Sequence, residues 1–105
     1  MAHLDDRGDI EVRTETIDGL VADGRIPPPQ FVKMDVEGAE YDVLCGAKET
    51  LTRHRPSILL STHGYAMHRQ CCDFLRSLSY EIEMIRDGTI DGQYTLLATV
   101  TAPAP

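Results

Sequence analysis

Apolar residues recur along this chain with two different periods, which divide it into strands and helices. Alternation at every second position, or a short continuous apolar run, is typical of a strand, whereas recurrence at every third or fourth position is typical of a helix. The predicted strands lie at residues 10–14, 31–34, 58–60, 80–84 and 94–100. The predicted helices lie at residues 16–23, 39–55 and 67–78.

The helix after Gly38 has the clearest apolar stripe. The stripe consists of Val43, Leu44, Ala47 and Leu51. This stripe predicts a buried face, with Glu40 and Asp42 on the opposite, polar face. Gly46 lies inside the predicted helix, where glycine costs about 1 kcal/mol relative to alanine. We therefore expect Gly46 to mark a close approach of this helix to the sheet.

The order of the elements predicts an α/β fold. Strands that alternate with helices form mostly parallel sheets with right-handed crossovers. Two turn signals, Asp87-Gly88 and Asp91-Gly92, separate the last two strands, so we expect this closing pair to be an antiparallel hairpin. At 105 residues the chain is one domain, residues 1–105, in which residues 1–9 and 101–105 are expected to be flexible.

Charge and hydropathy exclude several classes of partner. The net charge of -7 argues against nucleic acid and against an anionic membrane surface, because both select for clustered Lys and Arg. No apolar run reaches membrane-spanning length, and the first residues lack the apolar core of a signal peptide. These features predict a cytoplasmic location.

The three cysteines predict free thiols in a reducing compartment. An odd count with two adjacent members, Cys71 and Cys72, makes a poor disulfide framework. His63, His68 and this pair match no common zinc spacing, and Cys71 has helical spacing with Phe74. We therefore assign no metal site and place Cys71 in the core.

The end of the strand at residues 31–34 carries the candidate site. Asp35, Glu37 and Gly38 follow the strand directly. In open α/β sheets ligands collect outside the carboxyl ends of the strands, which places Asp35 at the rim of such a crevice. Gly38 permits a tight turn there. The end of the next strand is also polar and contains His63.

One stretch resembles a known family. The sequence VKMDVEGAEYDVLCGAKETLTRHRPSILLSTHG, residues 32–64, is similar to the FkbM family of S-adenosylmethionine-dependent methyltransferases. The matching positions are Asp35, Val36, Glu37, Gly38, Ala39, Glu40, Val43, Leu44, Gly46, Ala47, Leu51 and Pro56. The resemblance implies a Rossmann-like seven-strand sheet that ends in an antiparallel hairpin. It also implies methyl transfer from S-adenosyl-L-methionine to an oxygen of a small acceptor, such as a sugar or polyketide hydroxyl.

By this resemblance Asp35, Glu37 and Gly38 line the cofactor crevice, and Asp35 is the preferred catalytic residue. The family commonly has a Glu near the end of the next strand, where this chain has His63. His63 is then either the catalytic base or a structural histidine.

A second departure from the family concerns the cofactor site. The Gly-rich turn after the first strand of these enzymes has no counterpart among the glycines of this chain. We therefore interpret the chain as the C-terminal half of the domain, without the N-terminal cofactor-binding strands. Such a half leaves a sheet edge unpaired, which predicts self-association.

Two alternatives remain open at this point. The chain fits a catalytically inactive α/β module that keeps the fold without the cofactor site, since fold does not determine function. The Asp35-x-Glu37-Gly38 sequence also resembles the acidic loop of magnesium-dependent haloacid-dehalogenase-type phosphatases, with Asp35 as nucleophile. A match this short is weak evidence.

Overall fold

The structure, a computed structural model, describes residues 15–100. In this range four helices and four strands follow one another along the chain. They are α1 (Ile17–Ala22), β1 (Phe31–Met34), α2 (Glu40–Cys45), α3 (Lys48–His54), β2 (Ser57–His63), α4 (Tyr65–Ser77), β3 (Glu81–Asp87) and β4 (Gln93–Thr99). The strand predicted at residues 10–14 and the predicted flexible ends lie outside the described residues. No described helix combines the length and the apolar character that crossing a membrane requires.

The four strands form one mixed sheet in the order β1-β2-β4-β3. β1 pairs with β2 in parallel, and β4 is antiparallel to both of its neighbours. The predicted antiparallel hairpin of the last two strands is therefore confirmed. A mostly parallel sheet is not confirmed, because β4 inserts between β2 and β3 and makes two of the three described pairings antiparallel.

Helices cover one face of this sheet. The connections from β1 to β2 and from β2 to β3 run the same way across the sheet, so right-handed crossovers put α2, α3 and α4 on one side. Alternate residues of β2 are buried against them: Ile58, Leu60 and Thr62. Within residues 15–100 the buried hydrophobic residues form one core: Met34, Leu44, Ala47, Leu51, Ile58, Leu60, Cys71, Cys72, Leu75, Tyr80, Leu96 and Ala98.

The other face of the sheet is partly open among the described residues. Leu59 of β2 and its partner Leu97 of β4 are only half-buried, and Phe31 of β1 is 55% exposed. β1 also forms one edge of the described sheet. The self-association expected from an unpaired edge stays a prediction.

α1 begins as the sequence predicts. Thr16 caps the helix, and its hydroxyl oxygen accepts a hydrogen bond from the backbone N–H of Gly19 at 2.9 Å. α4 was also predicted, but it begins at Tyr65 rather than at residue 67. The helix therefore starts about half a turn earlier than predicted. It follows directly on Gly64, whose φ of 90° separates β2 from the helix.

The long helix predicted after Gly38 is two helices, α2 and α3, which meet at Gly46 and Ala47. The predicted close approach at Gly46 exists, but its partner is Thr16 at the start of α1 and not the sheet. A Cβ at Gly46 would lie 2.9 Å from Cγ2 of Thr16. The carbonyl oxygen of Gly46 also accepts a hydrogen bond from the N–H of Asp18 at 2.9 Å. Contact with α1 therefore accompanies the break.

Asp18 of α1 supplies the cap for the start of α3. Its carboxylate accepts hydrogen bonds from the N–H of Glu49 at 2.9 Å, and from the N–H and hydroxyl of Thr50 at 2.7 Å each. Partial burial acts to raise the pKa of Asp18, but these hydrogen bonds outweigh it and lower the pKa below its ordinary value. A residue far away in sequence thus satisfies the free N–H groups of a helix start.

Candidate functional site

A tight turn follows β1 and presents the predicted acidic residues. The carbonyl oxygen of Val36 accepts a hydrogen bond from the N–H of Ala39 at 2.8 Å, which closes a four-residue turn. Gly38 is its third residue and has a φ of 86°. A positive φ at this position is what a type II turn requires, and glycine adopts it without strain. Gly38 therefore plays the backbone role that the sequence predicts.

Glu40, the first residue of α2, was placed on a polar helix face by the sequence analysis, and that prediction is wrong. The side chain is fully buried, at 0% exposure. One carboxylate oxygen, Oε1, accepts a hydrogen bond from the N–H of Gly38 at 3.1 Å. The other, Oε2, has no hydrogen-bond partner among the described residues. A buried polar atom left unpaired costs about 1–3 kcal/mol, and more when it is charged.

The sequence contained a signal for this burial. Glu40 precedes Leu44 by four residues and Ala47 by seven, so it lies in line with the apolar stripe of the helix. A carboxylate on a buried stripe is unusual for a residue type that is rarely buried without a partner. The conflict between residue type and position identifies Glu40, rather than the exposed Asp35 and Glu37 of the turn, as the most constrained acidic residue of this segment.

His63 ends β2, beside the turn after β1. The residue is exposed and pairs with Gln93 of β4. A hydrogen bond of 2.8 Å from the N–H of Gly64 to the carbonyl oxygen of Gly92 connects this strand end to the loop between β3 and β4. The preceding residue, Thr62, is fully buried, and its hydroxyl has no partner among the described residues.

The two strand ends bring three side chains together. One ligand-type atom each of Asp35, Glu40 and His63 lies within 4.8 Å of the other two. Parallel strands end at the same edge of a sheet, which is why residues that follow β1 meet the last residue of β2. Asp35 and His63 were both singled out from the sequence, Glu40 was not, and Glu37 is not a member of this group.

An open depression of about 560 Å³ lies beside the group. Asp35, Val36, Glu37 and Ala39 line it. Two of the three residues predicted to bind a cofactor, Asp35 and Glu37, therefore face one depression, whereas Gly38 shapes the turn. The catalytic and cofactor-binding roles of these residues stay predictions.

Two buried thiols, Cys71 and Cys72, and a second histidine, His68, lie on α4. Cys71 is fully buried, as predicted, and burial together with the nearby charge of Glu40 raises its pKa to about 12. His68 stacks on Tyr94, with ring centroids 4.1 Å apart, and its imidazole lies 3.6–3.8 Å from the sulfur of Cys72. Burial, assisted by the charge of Arg76, lowers the pKa of His68.

These contacts bear on the zinc pattern that the sequence analysis discounted. His68 and Cys72 touch, but among residues 15–100 they form no metal-ligand group with His63. The described residues contain a different candidate group, the one that includes Glu40.

Comparison with known proteins places the chain in a family. The model of the methyltransferase FkbM domain matches residues 2–82. Over 48 residues the chain is 42% identical to the 2-O-methyltransferase NoeI of Sinorhizobium fredii, a match that covers 46% of this chain and 20% of NoeI. The crystal structure of the methyltransferase FkbM from Methylobacillus flagellatus is similar over 74% of this chain and 22% of that one, with a TM-score of 0.53 and 24% identity.

The structural match supports the α/β fold, and the family match extends over the acidic turn. The chain spans about a fifth of the length of these two relatives. The match to the domain model extends over more than half of the 105 residues. This chain belongs to the FkbM methyltransferase domain family.

Proposed function

We propose that this chain is part of a methyltransferase that transfers the methyl group of S-adenosyl-L-methionine to a hydroxyl oxygen of a small acceptor, such as a sugar. The observation that supports the proposal best is the acidic turn at the carboxyl end of β1, in a chain of the FkbM family. The name of one relative, a 2-O-methyltransferase, favours an oxygen acceptor. Membership of the family also favours this function over the phosphatase interpretation.

The donor set of the depression fits the proposed cofactor. S-adenosyl-L-methionine supplies an electrophilic methyl group on a positively charged sulfur. Asp35 and Glu37 present carboxylates to the depression, and carboxylates stabilise a cation nearby. The Gly-rich turn that the family uses for the cofactor is absent from these residues. Binding to this chain would therefore depend on the acidic turn.

Methyl transfer to a hydroxyl needs a proton acceptor. The new bond joins the acceptor oxygen to the methyl carbon, the bond from that carbon to sulfur breaks, and the hydroxyl proton must leave. Asp35 is the first candidate for this general base, and His63, at the neighbouring strand end, is the second. Both are exposed, and Asp35 lines the depression where an acceptor would bind.

Calorimetric titration of the 105-residue chain with S-adenosyl-L-methionine and S-adenosylhomocysteine tests the donor site. We expect binding with a Kd of about 1 mM or tighter, which corresponds to about 4 kcal/mol. Asp35→Ala should weaken binding about tenfold, or about 1.4 kcal/mol. Asp42→Ala is the matched control, because it removes an exposed carboxylate from the adjoining helix α2.

A folded chain that binds neither compound would contradict the proposal for this part of the protein, and would favour a module without a cofactor site. Equal losses from Asp35→Ala and Asp42→Ala would show that net charge, rather than the acidic turn, determines binding.

A further inference from the structure

The side chain of Glu40 has an unsatisfied oxygen in a fully buried position. Buried carboxylates in proteins are paired with a cation, hydrogen-bonded at both oxygens or bound to a metal. Among residues 15–100, no ion pair includes Glu40, and its one hydrogen bond occupies Oε1. The other oxygen, Oε2, therefore has neither a hydrogen-bond donor nor a cation beside it among these residues.

Two further ligand types converge on this carboxylate. Asp35 offers a second carboxylate and His63 an imidazole, with one atom of each of the three groups within 4.8 Å of the others. We propose that Asp35, Glu40 and His63 form a binding site for a divalent metal ion. The proposal concerns metal binding alone and does not depend on methyl transfer.

The distances are close to those of a metal site. Ligand oxygens and nitrogens lie about 2.1 Å from a bound Zn²⁺, so two of them are at most about 4.2 Å apart. A separation of up to 4.8 Å is therefore about 0.6 Å too wide. Asp35 and His63 are exposed residues at the ends of strands and can close this gap, whereas the buried Glu40 provides a fixed point.

The ligand set indicates which ions fit. Carboxylates suit Mg²⁺, Ca²⁺ and Mn²⁺, and an imidazole suits Zn²⁺, Fe²⁺ and other transition metals. Two carboxylates and one imidazole therefore favour Mn²⁺ or Zn²⁺. Three protein ligands leave at least one coordination position open, as in catalytic rather than structural sites. Asp35 also lines the depression, so an open position can face the space where a small molecule would bind.

Electron paramagnetic resonance provides a direct test on the 105-residue chain. Free Mn²⁺ in water gives a six-line spectrum that weakens when the ion binds to protein, so a titration yields the Kd without any methyl donor. We expect saturable binding of one Mn²⁺ per chain, with release of the ion when Zn²⁺ is added. Glu40→Gln and His63→Gln should each raise the Kd at least about tenfold, since even outer-shell changes cost this much in metal sites.

Two variants keep the result interpretable. His63→Gln changes an exposed residue and should leave the circular dichroism spectrum unchanged, so weaker binding by this variant cannot be attributed to unfolding. Asp42→Asn removes the same charge as Glu40→Gln from the same helix, but at an exposed position outside the group. This control should bind Mn²⁺ as tightly as the unaltered chain.

Two outcomes would overturn the proposal. One is a folded chain that neither reduces the Mn²⁺ signal at millimolar protein nor binds Zn²⁺. The other is equal weakening by Asp42→Asn and Glu40→Gln, which would assign the binding to the net negative charge of the surface. Loss of methyl-donor binding with metal binding retained would contradict only the function proposed above.

Discussion

The two faces of the described sheet differ in how deeply their side chains are buried. On the covered face Ile58 and Leu60 of β2 have 0% exposure. On the other face Leu59, between them in the same strand, is only half-buried. Side chains of a strand alternate between faces, so three successive residues sample both environments. The contrast shows that the described helices build a core on one side only.

The open face mixes apolar and charged residues. Leu59 pairs with Lys33 on one side and Leu97 on the other, and Leu97 pairs in turn with Glu83. A face of this composition is not a second core by itself. Leu59 and Leu97 therefore remain only half-buried among the described residues.

The largest expected difference between the two faces is in the unfolding free energy lost when neighbouring leucines are truncated. Leu60→Ala removes a fully buried side chain from the core, and such changes cost about 2–5 kcal/mol of unfolding free energy. Leu59→Ala, the matched control, removes a half-buried side chain and should cost less than about half as much. Urea unfolding followed by circular dichroism measures both. Equal losses would show that the open face is packed as tightly as the core.

A smaller effect on stability is expected at the contact between α1 and the start of α3. Asp18→Ala removes the acceptor for three hydrogen bonds at the start of α3 and should cost about 1–2 kcal/mol of unfolding free energy. Asp23→Ala is the control, because it removes an exposed acid from the end of the same α1 and should change stability by less than about 0.5 kcal/mol. If the two variants unfold at the same urea concentration, the cap does not stabilise this layer.

The same cap should respond to acid. Because the folded-state pKa of Asp18 is below its ordinary value of 3.8, the carboxylate contributes stability that is fully present above that value. The contribution should disappear as the pH falls through the lower, folded-state pKa. The stability difference between the unaltered chain and Asp18→Asn should therefore shrink below about pH 4, since this contribution titrates with the Asp18 carboxyl. A difference that stays constant down to pH 2 would contradict this linkage.

Local patterns were sufficient to predict most elements of the fold. The α1 cap at Thr16, the strand before Asp35 and the glycine turn depend on neighbouring residues, so they could be predicted from the sequence. The insertion of β4 between β2 and β3 depends on contacts across the whole chain and could not. The close approach at Gly46 likewise involves Thr16, 30 residues earlier in the sequence, whose side chain leaves no room for a Cβ.

The site was predictable in part for the same reason. Asp35 and His63 were found because they follow strands, and the structure brings them together at one edge. Glu40 is the exception, because charged residues are usually exposed, whereas its spacing to Leu44 puts it on the buried stripe. Helical spacing was the better guide, since burial of the other stripe residues fixes where a side chain at this position must lie.

The rate at which the thiols are modified reports how well the covered face is packed, and it is the smallest of the effects expected. Cys45 is exposed, whereas Cys71 and Cys72 are buried in the core that α4 shares with the sheet. The thiolate is the reactive form, and burial raises the pKa of both core thiols, that of Cys71 to about 12. Iodoacetamide at pH 8 should therefore modify Cys45 quickly and the other two slowly, as peptide mass spectrometry would show.

The thiol measurement also separates the two faces in the leucine variants. Leu60→Ala loosens the core that contains Cys71 and should speed its modification by iodoacetamide. A less stable core opens locally more often, and each opening exposes the thiol to the reagent. Leu59→Ala changes the opposite face and should leave Cys71 nearly as slow as in the unaltered chain. Modification of two thiols at the fast rate in the unaltered chain would place a core cysteine in contact with solvent. It would then be the covered face, rather than the open one, that is incompletely packed in solution.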